Sequence, residues 1–294
     1  MKETSIAAAA LALLGATSAQ AGGHYTPGVE GIQAASAPPP GLYYLGYLVN
    51  YSIDGFRAPG SSSNLPGHNR GTVTALANRL VWISNHQVLG ADWGMETLLP
   101  VMRTSLTIDA AGISDSRSGA GDIYLSPLVL AWHGPQWDAV TTAGFWLDTG
   151  STGYPASPGN GYKGVMLTGG MTWYFDSAKT LSASALMRYE FNGKNDVGFR
   201  PGQQLSLEWG LGKSFGAVTA GLAGYSQWQT SDDQGPSASG DRASRHAVGV
   251  ELVYPAPAAG LTLKGAIYRE LSARAGTNAL GKGTLVRFTL AKAF

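Results

Sequence analysis

From residue 42 onward, apolar and polar residues alternate along the chain with a period of two. Between Leu181 and Asn192 every odd position is apolar or aromatic, and every even position except Leu186 is polar. The same alternation recurs within 163–175 and 204–215. Because successive side chains of a β-strand point to opposite faces, the pattern predicts strands with one apolar and one polar face.

About twelve such segments are recognisable, and most are ten or more residues long. Strands of soluble proteins are usually about 5–6 residues long, whereas a tilted strand that crosses a bilayer needs about 9–11. The lengths therefore favour membrane-spanning strands. The predicted strands are 42–54, 72–84, 88–108, 120–133, 137–148, 163–175, 180–192, 204–215, 217–230, 245–254, 261–270 and 282–294.

The segments that join these strands alternate between long and short. The short ones lie near 84–87, 133–136, 176–179, 216 and 255–260. The long ones are 55–71, 109–119, 149–162, 193–203, 231–244 and 271–281. Short periplasmic turns and long extracellular loops are typical of outer-membrane barrels. We therefore predict an all-β fold: a transmembrane antiparallel up-and-down β-barrel of about twelve strands, formed by residues 42–294, with periplasmic termini.

Composition excludes several other classes of protein. Charged residues make up 13% of the chain, the formal net charge is +1, and aromatic residues make up 10%, which is not the composition of a disordered chain. No basic stripe is present for binding nucleic acid. After the first twenty residues, no run of about 18 apolar residues could form a spanning helix. Glycine is abundant, with 41 residues, and cysteine is absent.

The first forty-one residues precede the alternating pattern and divide into two parts. Lys2, an apolar stretch over 6–16 and the sequence Ala19-Gln20-Ala21 are typical of a secretory signal peptide, so we predict residues 1–21 to be one and the protein to be exported to the Gram-negative outer membrane. Residues 22–41 are rich in Pro and Gly and lack strand alternation. We predict that they form a periplasmic or plug segment at the barrel mouth, with candidate residues His24, Tyr25, Glu30, Pro38, Pro39 and Pro40.

Charged residues of the strands lie on the face opposite the apolar one. A Lys or Arg that faces lipid at the bilayer midplane costs about 2–4 kcal/mol, so these charges are expected to face the lumen. Folding the chain symmetrically about 193–203 places Arg188 opposite Glu208, which predicts a contact within salt-bridge or single-water distance. We favour a structural ion pair here over a charge that selects a substrate. The lumen candidates are Asp92, Glu96, Arg188, Glu190, Glu208, Glu251 and Arg287.

The last strand places Phe288, Leu290 and Phe294 on one face. A terminal aromatic residue that closes an alternating strand resembles the C-terminal signal read by the outer-membrane assembly machinery. We therefore expect that machinery, outer-membrane lipid and lipopolysaccharide to be partners of the chain.

Several motifs, in order, resemble an outer-membrane family named for the meta-pathway of phenol degradation. They include His24-Tyr25-x-Pro27-Gly28-x-Glu30-Gly31, Leu89-Gly90-Ala91-Asp92-Trp93-Gly94-Met95, Gly119-Ala120-Gly121-Asp122-Ile123-Tyr124, Trp132-His133-Gly134, Tyr174-Phe175-Asp176 and Leu207-Glu208-Trp209-Gly210-Leu211-Gly212-Lys213. The resemblance implies an outer-membrane barrel that admits hydrophobic or aromatic compounds. It assigns no functional residue.

The function predicted from the sequence is passive uptake of a small hydrophobic or aromatic solute through the barrel. One alternative is a structural or surface-interaction barrel without transport, and a lipid-modifying enzyme comes third. Ser84 and His86 share one short turn, and this spacing does not supply the oriented nucleophile and base that an enzyme needs. We therefore predict no enzymatic activity, no cofactor and no metal site.

Overall fold

A computed structural model describes residues 22–294, and residues 41–293 contain thirteen antiparallel strands. The predicted signal peptide, residues 1–21, lies outside the described residues. The strands are β1 Gly41–Arg57, β2 Asn69–Val88, β3 Ala91–Ile108, β4 Ile113–Ala120, β5 Tyr124–His133, β6 Trp137–Trp146, β7 Gly164–Tyr174, β8 Leu181–Asn192, β9 Gln204–Phe215, β10 Val218–Gln229, β11 Ser244–Ala256, β12 Leu261–Arg274 and β13 Leu280–Ala293.

The strands close into a barrel. Each strand from β5 to β12 pairs with the next along the chain, β13 pairs with β1, and β1, β2 and β3 pair in turn. Both β4 and β5 pair with β3, β4 along its second half and β5 along its first half. These two strands therefore occupy one position in the wall, and the barrel has twelve positions. This confirms the predicted fold class.

Two of the predicted connections differ from the structure. The predicted loop 109–119 is a single 3-10 turn at Asp109–Ala111 followed by β4, because Gly112 adopts a left-handed conformation (φ 64°) that reverses the chain and lets Ile113 pair with Ile108. The predicted long loop 271–281 is also wrong, since β12 continues to Arg274 and only five residues, 275–279, precede β13. Connection length therefore does not alternate at this last hairpin.

Burial is inverted relative to a soluble protein. On β8 the polar residues Ser182, Glu190 and Asn192 are buried, whereas Met187 and Phe191 are exposed. Exposed Leu, Val and aromatic side chains continue around the other strands and form an apolar outer belt, with Trp82, Trp173, Phe215 and Tyr254 near the short turns. Such a belt fits hydrocarbon outside and a polar interior. No helix among residues 22–294 is long and apolar enough to cross a membrane.

The hairpin β8–β9 brings the predicted ion pair together in a different register. The Nη1 atom of Arg188 lies 3.7 Å from a carboxylate oxygen of Glu208, within the predicted distance. The residue directly opposite Arg188 is Ser206, however, and Glu208 lies opposite Leu186. The register differs because the amide of Asn192 donates to the side chain of Gln203 (2.7 Å), so the pairing ends at Glu190 and Gln204.

Candidate functional site

Residues 22–36 run through the lumen of the barrel, and we call them the inner segment. At the end with the long connections, the carbonyl oxygen of Gly22 accepts hydrogen bonds from Tyr162 and Asn192. At the end with the short turns, the hydroxyl of Ser36 lies 3.1 Å from that of Tyr174. The inner segment thus spans the lumen rather than crossing only its mouth.

The prolines predicted as plug residues lie beyond the inner segment. Pro39 and Pro40 are exposed and Pro38 is half-buried, just before the start of β1. The carbonyl oxygen of Pro39 accepts a hydrogen bond from the hydroxyl of Tyr43. These three residues connect the inner segment to the barrel wall, and they do not fill the lumen.

Glu30 links the inner segment to two strands that are well separated around the barrel. Its Oε1 atom lies 3.2 Å from Nη1 of Arg79 on β2 and 2.5 Å from Nη2 of Arg188 on β8. Arg79 also pairs with Glu96 at 2.5 Å. Burial by itself would raise the pKa of Glu30, but the two guanidinium groups outweigh it and lower the pKa to about 2. Glu30 is therefore a carboxylate held at the centre of a charge network.

Tyr25 and two glutamates extend this network along β8 and β9. The hydroxyl of Tyr25 donates to Glu208 and accepts from Arg188 (2.8 Å), and the guanidinium of Arg188 lies 4.2 Å from the centre of the Tyr25 ring. Glu190 accepts the backbone amides of His24 (3.0 Å) and Tyr25 (3.2 Å). Carboxylates that accept backbone amides form strong, charge-assisted hydrogen bonds, so this end of the inner segment is firmly attached.

A second attachment lies on the opposite part of the wall. Arg287 and Glu251 form an ion pair in which both side chains are fully buried. Arg287 also donates to the carbonyl oxygen of Val29, and Glu251 accepts the backbone amide of Ile32. The pair therefore joins β11 and β13 to each other and to the inner segment.

Wall glycines make room for the side chain and backbone of Ile32. A Cβ atom at Gly210 would lie 2.8 Å from the Cα atom of Ile32 and 2.9 Å from the carbonyl oxygen of Gly31. A Cβ atom at Gly212 would lie 2.4 Å from the Ile32 side chain. Because Gly210 and Gly212 of β9 lack side chains, the inner segment contacts the wall directly there. Ile32 is only 1% exposed.

We expect Gly210→Val to loosen the inner segment, because the new side chain would overlap backbone atoms that cannot move independently. Overpacking of this kind costs about 1–3 kcal/mol. Amide hydrogen exchange over residues 22–36, followed by mass spectrometry, should be faster than in the unmodified protein. Gly169→Val is the matched control, since a Cβ atom there meets nothing within 4 Å. Equal protection in both variants would contradict this assignment of Gly210.

His24 lies among aromatic and acidic groups at the end of the inner segment. Its ring stacks on Trp146 (5.2 Å between centroids) and meets the edge of Tyr162, and its Nε2 atom lies 3.0 Å from the carbonyl oxygen of Tyr162. Asp122 and Glu190 approach its ring nitrogens at 3.6 and 3.7 Å. Burial lowers the pKa of His24 to about 4, although Asp122 and the Tyr162 carbonyl act in the opposite direction.

The lowered pKa predicts weaker attachment of the inner segment in acid. The bound imidazole holds fewer protons than a free one, so attachment weakens as the pH falls from about 6.5 towards 4. We expect higher ion conductance across planar bilayers at pH 5 than at pH 7.5. His24→Phe, which keeps a ring against Trp146, should remove this difference, whereas His68→Phe at a fully exposed side chain should not. A pH response retained in His24→Phe would assign it to another group.

A cavity of about 150 Å³ lies between the inner segment and the wall formed by β1–β3. The inner segment contributes Tyr25, Pro27 and Val29, and the 147–163 connection contributes Pro158 and Asn160 at the long-loop end. Most of the wall side is aliphatic, and it includes Val49, Val73, Ala75, Ala77, Leu98 and Met102. The side of the lumen beside β1–β3 therefore combines an apolar cavity with the ion pairs of Arg79 to Glu30 and Glu96.

The structure places the predicted lumen residues in different settings. Glu96, Arg188, Glu190, Glu208, Glu251 and Arg287 all contact the inner segment or a residue that does. Asp92 does not join them; it lies beside the β2–β3 turn, where Gln87 donates to it at 3.2 Å.

Arg79, Arg245 and Trp146 are functional candidates that the sequence pattern did not single out. Arg79 occupies an odd position of β2, as the inward-facing residues of that strand do, so the alternation could have identified it as a lumen residue. Trp146 has no such signal, because an aromatic residue at a strand end suits either face.

Two further features concern candidate metal and enzymatic residues. Within 22–294, no cluster of three or more His, Cys, Asp or Glu side chains is placed to hold a metal ion. Ser84 and His86 serve the β2–β3 turn: the Ser84 hydroxyl donates to the carbonyl oxygen of Trp93 (2.7 Å) and accepts the amide of His86 (3.1 Å).

The apolar belt, the buried charges and the closed antiparallel wall define a β-barrel of the bacterial outer membrane. The fold is similar to the COG4313 outer membrane channel from Pseudomonas putida F1, with a TM-score of 0.77 and 15% identity over 92% of this chain and 100% of that chain. It is also similar to the transport unit of the autotransporter AIDA-I from Escherichia coli (TM-score 0.50, 10% identity, 87% of this chain and 91% of that chain).

The chain belongs to the family described as the putative MetA-pathway of phenol degradation, whose model matches residues 53–288. This confirms the resemblance seen in the sequence motifs. Among curated proteins, no sequence matches this chain.

Proposed function

We propose that the protein is a passive channel for small hydrophobic, single-ring aromatic solutes. The cavity beside the inner segment carries this proposal. Its volume of about 150 Å³ equals that of apolar protein cavities that bind benzene, and its aliphatic wall excludes strongly hydrated molecules. Membership of a family associated with phenol degradation and a fold similar to that of an outer membrane channel support it.

The inner segment acts as a plug in this proposal, and residues 42–294 act as the channel wall. Charged groups of β2, β8, β11 and β13 hold the inner segment within the lumen, which blocks a wide water-filled pore. The apolar cavity beside β1–β3 is the space that a solute enters in this proposal. A single-ring solute fits this cavity, whereas its aliphatic wall excludes a hydrated ion.

Filling the cavity tests the proposal. Cells that lack the protein should take up a limiting aromatic growth substrate more slowly, and the unmodified protein should restore the rate. Ala75→Phe projects a ring into the cavity and should not restore it. Ala185→Phe, on the exposed face of β8, is the matched control and should restore it fully. Equal uptake with and without the protein would exclude transport.

A barrel without transport is a second candidate function, because the inner segment and its ion pairs fill much of the lumen. In that case the long connections would contact partners at the cell surface, and Ala75→Phe would leave every measured property unchanged. The uptake assay therefore separates the two candidates.

Two further contacts are proposed for the outer surface. Arg103 and Arg70 are exposed, have outward phase on β3 and β2, and form no ion pair within residues 22–294. Arg103 follows the exposed Val101 of the apolar belt, at a height that suits the phosphates of lipopolysaccharide.

The exposed Phe288, Leu290 and Phe294 at the end of β13 suit recognition by the barrel assembly machinery.

A further inference from the structure

A groove of about 520 Å³ lies on the outer face of the barrel, where β11, β12, β13, β1 and β2 adjoin, and we call it the outer groove. Within residues 22–294 it shares no lining residue with the cavity beside the inner segment. Its walls are exposed apolar side chains of the outer belt, which include Leu48, Leu252, Tyr254, Leu263, Phe288 and Leu290. The outer groove therefore opens towards the hydrocarbon of the membrane.

Two glycines among these large side chains form the floor of the outer groove. Gly46 of β1 pairs with Leu290, and Gly265 of β12 pairs with Phe288. The Tyr44 ring covers Gly46, since a Cβ atom there would lie 2.8 Å from the Tyr44 hydroxyl. A Cβ atom at Gly265 would meet only the Phe288 ring within 4 Å, at 3.7 and 3.9 Å. Gly265 is therefore an open part of the floor, where another molecule can approach the wall closely.

Lys292 supplies a positive charge at one end of the outer groove. It follows Leu290 by two positions and therefore lies on the same outer face of β13. It pairs with Tyr44 and with Leu261, the first residue of β12 after a short turn, and short turns lie on the periplasmic side. Its Nζ atom lies 5.1 Å from the centre of the Phe294 ring, and it forms no ion pair within residues 22–294. Lys292 is thus an exposed cation at the periplasmic edge of the apolar belt.

We propose that the outer groove and Lys292 form a binding site for one anionic glycerophospholipid of the periplasmic leaflet. One acyl chain lies over Gly265, and the phosphate contacts Lys292, because a lysine at the membrane surface attracts anionic headgroups. A symmetric dimer of this chain through the same face would instead bring two copies of Lys292 together, so the charge favours the lipid. The bound lipid contacts both β1 and β13, the strands whose pairing closes the barrel.

Lipid binding to the purified full-length barrel in detergent, measured by native mass spectrometry, tests this site. The probes are phosphatidylglycerol and a diacylglycerol with the same acyl chains, which differ in the phosphate. Gly265→Leu fills the outer groove and should weaken binding of both lipids about tenfold. Lys292→Gln should weaken binding of phosphatidylglycerol about fivefold and leave binding of the diacylglycerol unchanged.

The matched controls lie on the outer face away from the outer groove. Gly169→Leu adds the same side chain on β7, where a Cβ atom meets nothing within 4 Å. Lys213→Gln removes an exposed cation at the short-turn end of β9. Neither control should change the binding of either lipid.

Each outcome decides for or against the site. No loss in Gly265→Leu, or equal losses in the controls, would overturn it, because lipid would then coat the belt without a preferred position. An equal loss of both lipids in Lys292→Gln, or no loss of either, would overturn the contact with the phosphate. A dimer mass that Gly265→Leu abolishes would assign the outer groove to a second copy of the chain. Should Gly265→Leu not fold, as judged by heat-modifiable gel mobility, Gly265→Ala adds one carbon and must show a smaller loss of both lipids.

Discussion

Deleting residues 24–36 should raise the conductance of the protein in planar bilayers several-fold. The deletion removes the Glu30 carboxylate and the backbone groups that Glu190 and Glu251 bind. The charged side chains of the wall would then face water in a wide lumen. A barrel of twelve strands is wider than the eight-stranded barrels whose interior is just filled by side chains. The pore should therefore conduct ions continuously.

A synthetic peptide of residues 22–41 provides the control for this deletion. Added to the deleted barrel, it should lower the conductance again, because its contacts do not depend on the covalent link to β1. The same peptide with Glu30→Gln should be less effective, since an amide pairs more weakly with Arg79 and Arg188. Conductance that is the same with and without residues 24–36 would show that the inner segment is not a plug.

Replacing Arg287 by Met should destabilise the barrel by about 3–5 kcal/mol, the usual cost of leaving one charge of a buried ion pair without its partner. Arg287 and Glu251 are both fully buried, so the variant leaves the Glu251 carboxyl buried without this partner. The midpoint of urea unfolding, read from the fraction that keeps the mobility of the folded barrel on gels, should move to lower urea.

The pair Arg269 and Asp54 offers a matched comparison, because its side chains are about half exposed. Exposed pairs contribute about 0.2–1 kcal/mol, so Arg269→Met should shift the midpoint only slightly. Adding Glu251→Gln to Arg287→Met should recover part of the loss, since it removes the unpaired charge. If Arg287→Met and Arg269→Met were equally stable, burial of the ion pair would have no energetic consequence.

Most of the wall could be predicted from the sequence. The alternation at Leu181–Asn192 correctly places Met187 outside and Glu190 inside, because the two faces of a strand meet different solvents. The pairing of Arg188 with Glu208 was correct in distance and wrong in register. A slip of two residues keeps every side chain on its face, so alternation cannot detect it.

The path of the inner segment was less accessible to prediction. Of the residues predicted for this segment, Tyr25 and Glu30 contact the wall, whereas Pro38, Pro39 and Pro40 do not fill the lumen. Ile32, which also contacts the wall, was not singled out. The partners of Tyr25, Glu30 and Ile32 lie more than 150 positions away in most cases, on strands whose neighbours are known only after the barrel closes. No local pattern carries that information.

The sequence by itself determined the class of the wall, the faces of the strands that alternate clearly and the segment that stands apart from the strands, since each depends on local periodicity and composition. Only the tertiary structure decided which charges meet across the lumen, where β4 joins the wall and where a ring-sized apolar space remains. These features depend on the number of strands in the closed barrel and on the register of each pair, which are set by contacts between distant parts of the chain.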